Sequence, residues 1–308
     1  MIMARLDPGL RVNPSLRPSF FGWALHFLRN CTESRSAENS TRLLKYALQS
    51  AALMQDFKKL IPSAFGETPA GKLVLLSTEP DTQQLERVAL KQRLGSDIHL
   101  ISVEEAVEVE PTIKNWRDQP VAAIYSAQDE VGDAEIFTNE LAAVLVDQGA
   151  RIHLSTAIKA SKKLTKKGEL CLDDLTDEFD AVVVCAGTES KQITAKSGIW
   201  LPTYPIAGYS LNLPLHAQSP RTSITALNQR LVFSRFKNSM RIAGFIDING
   251  AQKKARPRLT YLRDTARNLC PDSAIYDQDK DISGWMGYRC MTPSGVPLVG
   301  ATAKPGVF

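Results

Sequence analysis

The sequence contains no apolar run near the ~18 residues that a membrane-spanning helix needs. Its first residues, Met1-Ile-Met-Ala-Arg-Leu-Asp-Pro8, lack the charged-then-apolar order of a secretion signal. A cytoplasmic protein is therefore expected. Cysteine is sparse: Cys31, Cys171, Cys185, Cys270 and Cys290 are scattered, odd in number and never spaced CxxC. Neither a disulfide framework nor a thiolate metal site is implied. Four histidines and no HExxH leave no metal expected. Charge of one sign is also scarce: 37 basic against 33 acidic residues give a formal +4. Apart from Lys162, Lys163, Lys166 and Lys167, read as a solvated hairpin, the basic residues are dispersed. No nucleic-acid partner is expected. There is no 20–50-residue repeat, and none of the 18 glycines falls in a G-x-G-x-x-G pattern.

What is present is ordinary globular material, 44% hydrophobic and 23% charged over 308 residues. The chain is organised around Phe179 to Gly187. Ala181 to Val184 is a β-branched run that reads as a strand buried on both faces. Cys185-Ala186-Gly187 ends it with small residues, which let a second backbone or a ligand come close. A core strand followed by an ordinary turn reads equally well.

Upstream, Phe20, Trp23 and Phe27 share one helical face. That segment is read as a core or lid helix, with a helix resting on a membrane surface as the alternative. Residues 40–60 carry Leu44, Leu48, Ala51, Met54 and Phe57 at helical spacing. Strands are expected at Lys72–Thr78 and Ala122–Ser126, and a helix between them over 80–94. Ser102 to Glu105 has the form of a capping box, stopped at Glu110-Pro111. Asp133 is placed to cap a helix running to Asp147, which Gly149 ends. Short strands are expected at Arg151–Leu154, Ala157–Lys162 and Leu170–Leu172. From Thr203 to Ile246 four strands joined by short turns predict an antiparallel sheet, with a helix near Arg258–Leu269 after them.

Three segments together resemble a known family. They are Gly132 to Leu154, Phe179 to Gly187, and Trp285-Met-Gly-Tyr-Arg289-Cys-Met-Thr-Pro-Ser-Gly-Val-Pro-Leu-Val-Gly300. The last is similar to Trp-x-Gly-x-Arg-Pro-x-Thr-Pro-Asp-Gly-x-Pro-x-Ile-Gly of the D-amino-acid oxidase superfamily of FAD-dependent flavoproteins. Within it, Leu201 to Pro214 and Phe21 to Cys31 resemble the D-amino-acid dehydrogenases.

The resemblance implies an α/β (α+β) fold. An incomplete FAD-binding, Rossmann-like domain (121–200 and 284–308) would be interleaved with a mostly antiparallel substrate domain (1–120 and 201–283). It implies FAD as cofactor and oxidative deamination of D-amino acids, with glycine oxidase or a cyanide-forming glycine dehydrogenase as the alternative. Arg289 would hold the substrate carboxylate, a task suited to a planar, permanently charged fork. Tyr209 would line the pocket. Ile158, Ala186, Gly187 and Gly300 would lie against the cofactor. Cys290 stands where the family has proline. The partners implied are a small amino acid and a respiratory-chain electron acceptor, with peripheral contact at the inner face of the plasma membrane. The absent glycine fingerprint, which elsewhere cradles the pyrophosphate, implies a chain shortened at both ends. The expectation is then a fragment, or a subunit completed by a missing N-terminal chain, that does not retain FAD alone.

Overall fold

The computed structural model describes residues 9–13, 15–61, 71–157, 169–172, 175–249, 255–276 and 284–308. In chain order the first elements are β1 (Leu10–Val12), α1 (Pro18–Asn30), α2 (Glu33–Leu60), β2 (Lys72–Leu76) and α3 (Thr82–Arg93). Next come β3 (Ile98–Ile101), α4 (Val103–Val109), β4 (Ala122–Ser126) and α5 (Ala134–Asp147). A hairpin of β5 (Glu169–Leu172) and β6 (Leu175–Glu178) precedes the short α6 (Ser190–Ala195). The remaining elements are β7 (Tyr204–Pro214), β8 (Ser223–Ala226), β9 (Leu231–Arg235), β10 (Ser239–Ile248), α7 (Ala255–Leu269) and β11 (Gly284–Met291).

Local chemistry sets several of these boundaries. At α4 the Ser102 hydroxyl accepts from Glu105 N at 3.2 Å, and Glu105 Oε2 accepts from Ser102 N at 2.8 Å. This is the expected reciprocal cap. Asp81 and Gln84 make the same arrangement before α3. Asp133 Oδ1 accepts from Glu135 N at 2.9 Å, opening α5 as the sequence predicts. Beyond its last residue, Gly149 takes the left-handed conformation, φ +93°.

The strands form a nine-stranded sheet in the order β11-β7-β10-β9-β8-β2-β4-β3, with β1 added alongside β10. Neighbours β10/β9, β9/β8, β2/β4 and β4/β3 are antiparallel, while β2/β8 and β1/β10 are parallel. Met240 and Ile242 of β10 point into the core. At Phe245 the backbone turns left-handed, φ +62°. That residue separates the stretch paired with β9, up to Gly244, from the stretch paired with β1, from Ile246. The buried residues shift from even to odd numbers there, so Phe245 and Asp247 are buried in turn.

The chain divides into two compact units. The first holds residues 1–13, 44–150 and 207–287. Its core is continuous and includes Leu73, Ile113, Leu211, Phe233, Ile242 and Leu262. Inside it Asp247 Oδ1 accepts from Arg258 at 2.7 Å, and Phe245 lies 4.4 Å from the same guanidinium. The second unit holds residues 14–43, 151–206 and 288–308. One of its clusters joins Ile199 and Val307, with Val184, Ile193 and Leu201 packed against them, and Trp23 is buried beside Tyr204.

Two expectations are corrected. The run from Ala181 to Val184 is not a strand buried on both faces. Only Val182 is buried, bridged in parallel to Val307, while Val183 is 67% exposed. A β-branched run becomes a central strand only when sheet neighbours flank it, and no described strand does so. The segment from Arg151 to Leu154 forms no strand. By compactness β4 and α5 fall in the first unit, where β4 is bonded on both edges by β2 and β3. The mostly antiparallel sheet and the mixed α/β class are as expected.

Candidate functional site

Arg289 is expected in a turn-rich stretch, but it stands on β11, and the turn follows it. Extended backbone there puts Trp285, Gly287 and Arg289 on one face of the strand. Gly287 leaves that face open, since a Cβ built on it would meet nothing closer than 3.9 Å. Arg289 is exposed. Among the described residues, no hydrogen bond or ion pair engages its guanidinium. A cation held in this way can take an incoming carboxylate with two parallel bonds.

The turn after it is well tied. Gly295 N donates to Thr292 O at 3.2 Å, with φ +76° at Gly295. Thr292 Oγ1 donates to Val296 O at 2.8 Å. Trp23 of α1 donates from Nε1 to Met291 O at 3.0 Å. Between this turn and the α1–α2 elbow lies a groove of about 260 Å³, lined among others by Phe27, Asn30, Asn39, Thr292 and Gly295.

The Cys290 thiol donates to Gly187 O at 3.4 Å. The two segments of the second unit that carry the family resemblance are thereby adjacent. Ala186 and Gly187 are exposed. Gly187 has φ +54° and Gly300 φ +129°, and a Cβ at either would meet no atom within 4 Å. Such open glycine backbone fits a cofactor that packs against main chain. These three positions would hold it, although the chain supplies no Gly-x-Gly-x-x-Gly cradle for a pyrophosphate. Ile158 lies outside the described residues.

Tyr209 lies in the core of the first unit. Its hydroxyl donates to Asp247 Oδ2 at 3.0 Å, and its ring lies 5.5 Å from the Arg258 guanidinium, inside the first unit's core. Burial, and then the neighbouring carboxylate, raise its pKa well above the usual phenol value. The alternation Tyr209, Leu211, Leu213 already aims it inward.

One cation was not singled out from sequence. Arg241 donates from Nε to Asn212 Oδ1 at 2.9 Å and from a terminal nitrogen to Asp133 Oδ2 at 3.1 Å. The rings of Phe236 and Trp285 lie 4.5 and 5.1 Å from it. The available signal was its place between Met240 and Ile242, which puts it on the opposite face of β10. Asp133 thus caps α5 with one oxygen and binds the sheet with the other. Beside it a pocket of about 280 Å³ is lined by Met54, Gly132, Ala134 and Phe137. Among the described residues no group of acidic, cysteine or histidine side chains could hold a metal.

Comparison with known proteins identifies the family. D-amino acid dehydrogenase of Rhizobium rhizogenes is 30% identical over 310 residues, covering 97% of this chain and 72% of that protein. The D-amino acid dehydrogenase of Paramagnetospirillum magneticum is 31% identical, covering 92% of this chain and 68% of that protein. Among solved structures, glycine oxidase from Geobacillus kaustophilus superposes with a TM-score of 0.70 at 22% identity, covering 85% of this chain and 71% of that one. L-proline dehydrogenase from P. horikoshii gives 0.68 at 17% identity, covering 86% and 71%. At those identities the structural likeness speaks to fold alone. The profile described as FAD dependent oxidoreductase, DAO, matches residues 18–308. With nine-tenths of its length inside that match, the chain belongs to the DAO family of FAD-dependent oxidoreductases.

Proposed function

We propose that this chain serves the oxidative deamination of D-amino acids, with electrons passing onward to an acceptor of the respiratory chain. The observation that carries the reading is Arg289, an exposed and unengaged guanidinium on β11, in a chain related over 97% of its length to a protein named D-amino acid dehydrogenase. In this reaction the α-carbon loses hydrogen with its electron pair, and the nitrogen lone pair closes a C=N bond as an N–H proton leaves. Water then converts the imino acid to a 2-oxo acid and ammonia. Bound flavin supplies the acceptor for that electron pair.

The chain's own residues bind and orient. Arg289 fixes the carboxylate by two hydrogen bonds, which sets the position of the α-carbon. Gly287 keeps the strand face beside it clear. The Thr292–Gly295 turn and the Trp23 bond to Met291 hold the end of β11 still. Abstraction of the α-proton by a dedicated base is not needed by this chemistry, and no residue is assigned to it.

The test is steady-state kinetics with a dye acceptor on D-alanine, L-alanine and D-alaninamide. D-alanine should be the best substrate of the three. Arg289→Leu should lower kcat/KM by roughly two to four orders of magnitude, because the substrate carboxylate loses both hydrogen bonds and its counter-charge. Arg289→Lys should act mainly through KM. Equal rates on D-alanine and D-alaninamide would defeat the assignment.

A further inference from the structure

We propose that Cys185 and Cys290 are a redox site, a thiol pair that a low-molecular-weight disulfide closes and a reductant reopens. Both are free thiols of the second unit, and both are exposed. The Cys290 sulfur stands 3.4 Å from Gly187 O. Cys185 is two residues before that carbonyl. The backbone between them is bent: Ala186 has φ −89° and ψ 20°, and Gly187 turns left-handed at φ +54°. Consecutive Cα atoms are about 3.8 Å apart, so such a bend keeps the Cys185 Cα within about 6 Å of the Gly187 Cα. A disulfide joins Cα atoms about 4.4–6.8 Å apart. The space at the turn is open, since a Cβ on Gly187 would meet no atom within 4 Å. Rotation of the Ala186–Gly187 turn closes the gap between the two sulfurs.

On either side of that turn the backbone is tied. Just before Cys185, Val184 N donates to Phe308 O at 2.9 Å. Just after Cys290, Met291 O accepts from Trp23 Nε1 at 3.0 Å. Two thiols held in this way react with each other in preference to forming two separate adducts. An exposed thiol beside a second, resolving thiol is the arrangement of redox-responsive cysteines. With glutathione disulfide as oxidant the step balances. The thiolate of one cysteine attacks a glutathione sulfur and expels one glutathione thiolate. The thiolate of the other then attacks the protein sulfur of this mixed disulfide and expels the second. The two protein thiols give up two electrons and two protons, one disulfide bond breaks, one forms, and two glutathione thiols leave.

Closure changes the contacts of both segments. A disulfide sulfur carries no hydrogen, so Gly187 O loses its donor. Cys290 directly follows Arg289, on the opposite face of β11. Oxidation therefore disturbs together the open backbone at Gly187 and the strand that presents the guanidinium. The pairing does not depend on the D-amino-acid reading. Its effect on turnover does rest on that reading.

The experiment treats the full, reduced chain with glutathione disulfide and maps its peptides by mass spectrometry without reduction. The Cys185 and Cys290 peptides should appear joined and two hydrogens lighter, and dithiothreitol should separate them. Iodoacetamide labelling of both should fall by about tenfold or more, while that of exposed Cys31 should not fall in step. Cys185→Ser should abolish the joined species and leave Cys290 carrying glutathione. Circular dichroism checks that this variant folds, and the map of the parent needs no variant. On D-alanine with a dye acceptor, the joined form should lose at least about threefold in kcat/KM, restored by dithiothreitol, and Cys185→Ser should lose less. The pairing is overturned if both thiols stay free, if each takes up glutathione separately, or if Cys31 joins either of them as readily. Parent-like turnover by the joined form would overturn its control of the site. A reduced chain inactive on D-alanine would count against the functional reading, and the peptide map would still decide the pairing.

Discussion

The two units use similar side chains to opposite effect. In the first, Leu73, Ile113, Leu231, Phe233 and Ile242 have no exposed surface, because a wide sheet supplies one layer and α7 the other. In the second, Leu154, Val183, Leu298 and Val299 are more than half exposed, while Trp23, Ile199, Tyr204 and Val307 are buried. Val183 and Ile242 are both β-branched and strand-forming, yet one is outside and the other inside. Burial is decided by whether a second layer lies over the residue, and composition does not record that.

The contrast between the units would break most sharply at Asp247. Its side chain is 1% exposed and it pairs with Arg258 and Tyr209, so Asp247→Ala leaves a charge uncompensated in the core. A loss of about 3–5 kcal/mol is expected in urea unfolding of the first unit. Next is Gly244→Ala. A Cβ there would lie 2.6 Å from Arg230 O and 2.8 Å from a Leu231 methyl, so the strands must part, at about 1–3 kcal/mol. Ser102→Ala removes one half of the capping box of α4 and should cost about 1 kcal/mol by the same measurement. At the small end, Leu25→Ala on the open face of α1 should stay within about 0.5 kcal/mol. A Leu25 effect as large as that of Gly244 would mean that the second unit is packed as tightly as the first.

Alkaline titration sharpens the same contrast. Burial pushes the Cys270 thiol up to about 11 from 9.0, and it raises Tyr276 and Tyr209 above the phenol value of 10.0. The unfolded chain therefore gives up these protons first. Stability they contribute is complete below pH 9 and is lost as pH climbs through the raised values. Chemical denaturation at pH 8, 9 and 10 should show a falling midpoint. Iodoacetamide should label Cys31, Cys185 and Cys290, which are exposed, well before Cys270.

Much of the first unit was legible because its signals are local. Ser102 with Glu105, Asp133 with its helix, and the alternation through Ala122–Ser126 each need only a few neighbouring residues. The strands from Tyr204 to Ile248 were legible for the same reason. The run from Ala181 to Val184 misled because its local pattern is that of a central strand, whereas the deciding neighbours are distant in sequence or absent. α2 shows the same limit: its spacing is amphipathic, yet none of its described residues is buried. At the site, the motif drew attention to Arg289 and Gly187. The Cys290 bond that links those segments, and the Arg241 cluster, depend on long-range contacts that no spacing encodes.

The left-handed residue in β10 bears on insertions and deletions. Up to Gly244 the core side of the strand is even-numbered, and from Phe245 onward it is odd. Removing Phe245 would join the two stretches in a plain alternation with Asp247 still on the core side. A strand of unchanged length that alternated regularly from Met240 would instead put Asp247 on the opposite face, away from Arg258. The left-handed backbone at Phe245 is thus what keeps the carboxylate that faces Arg258 on the correct side of the sheet at this strand length.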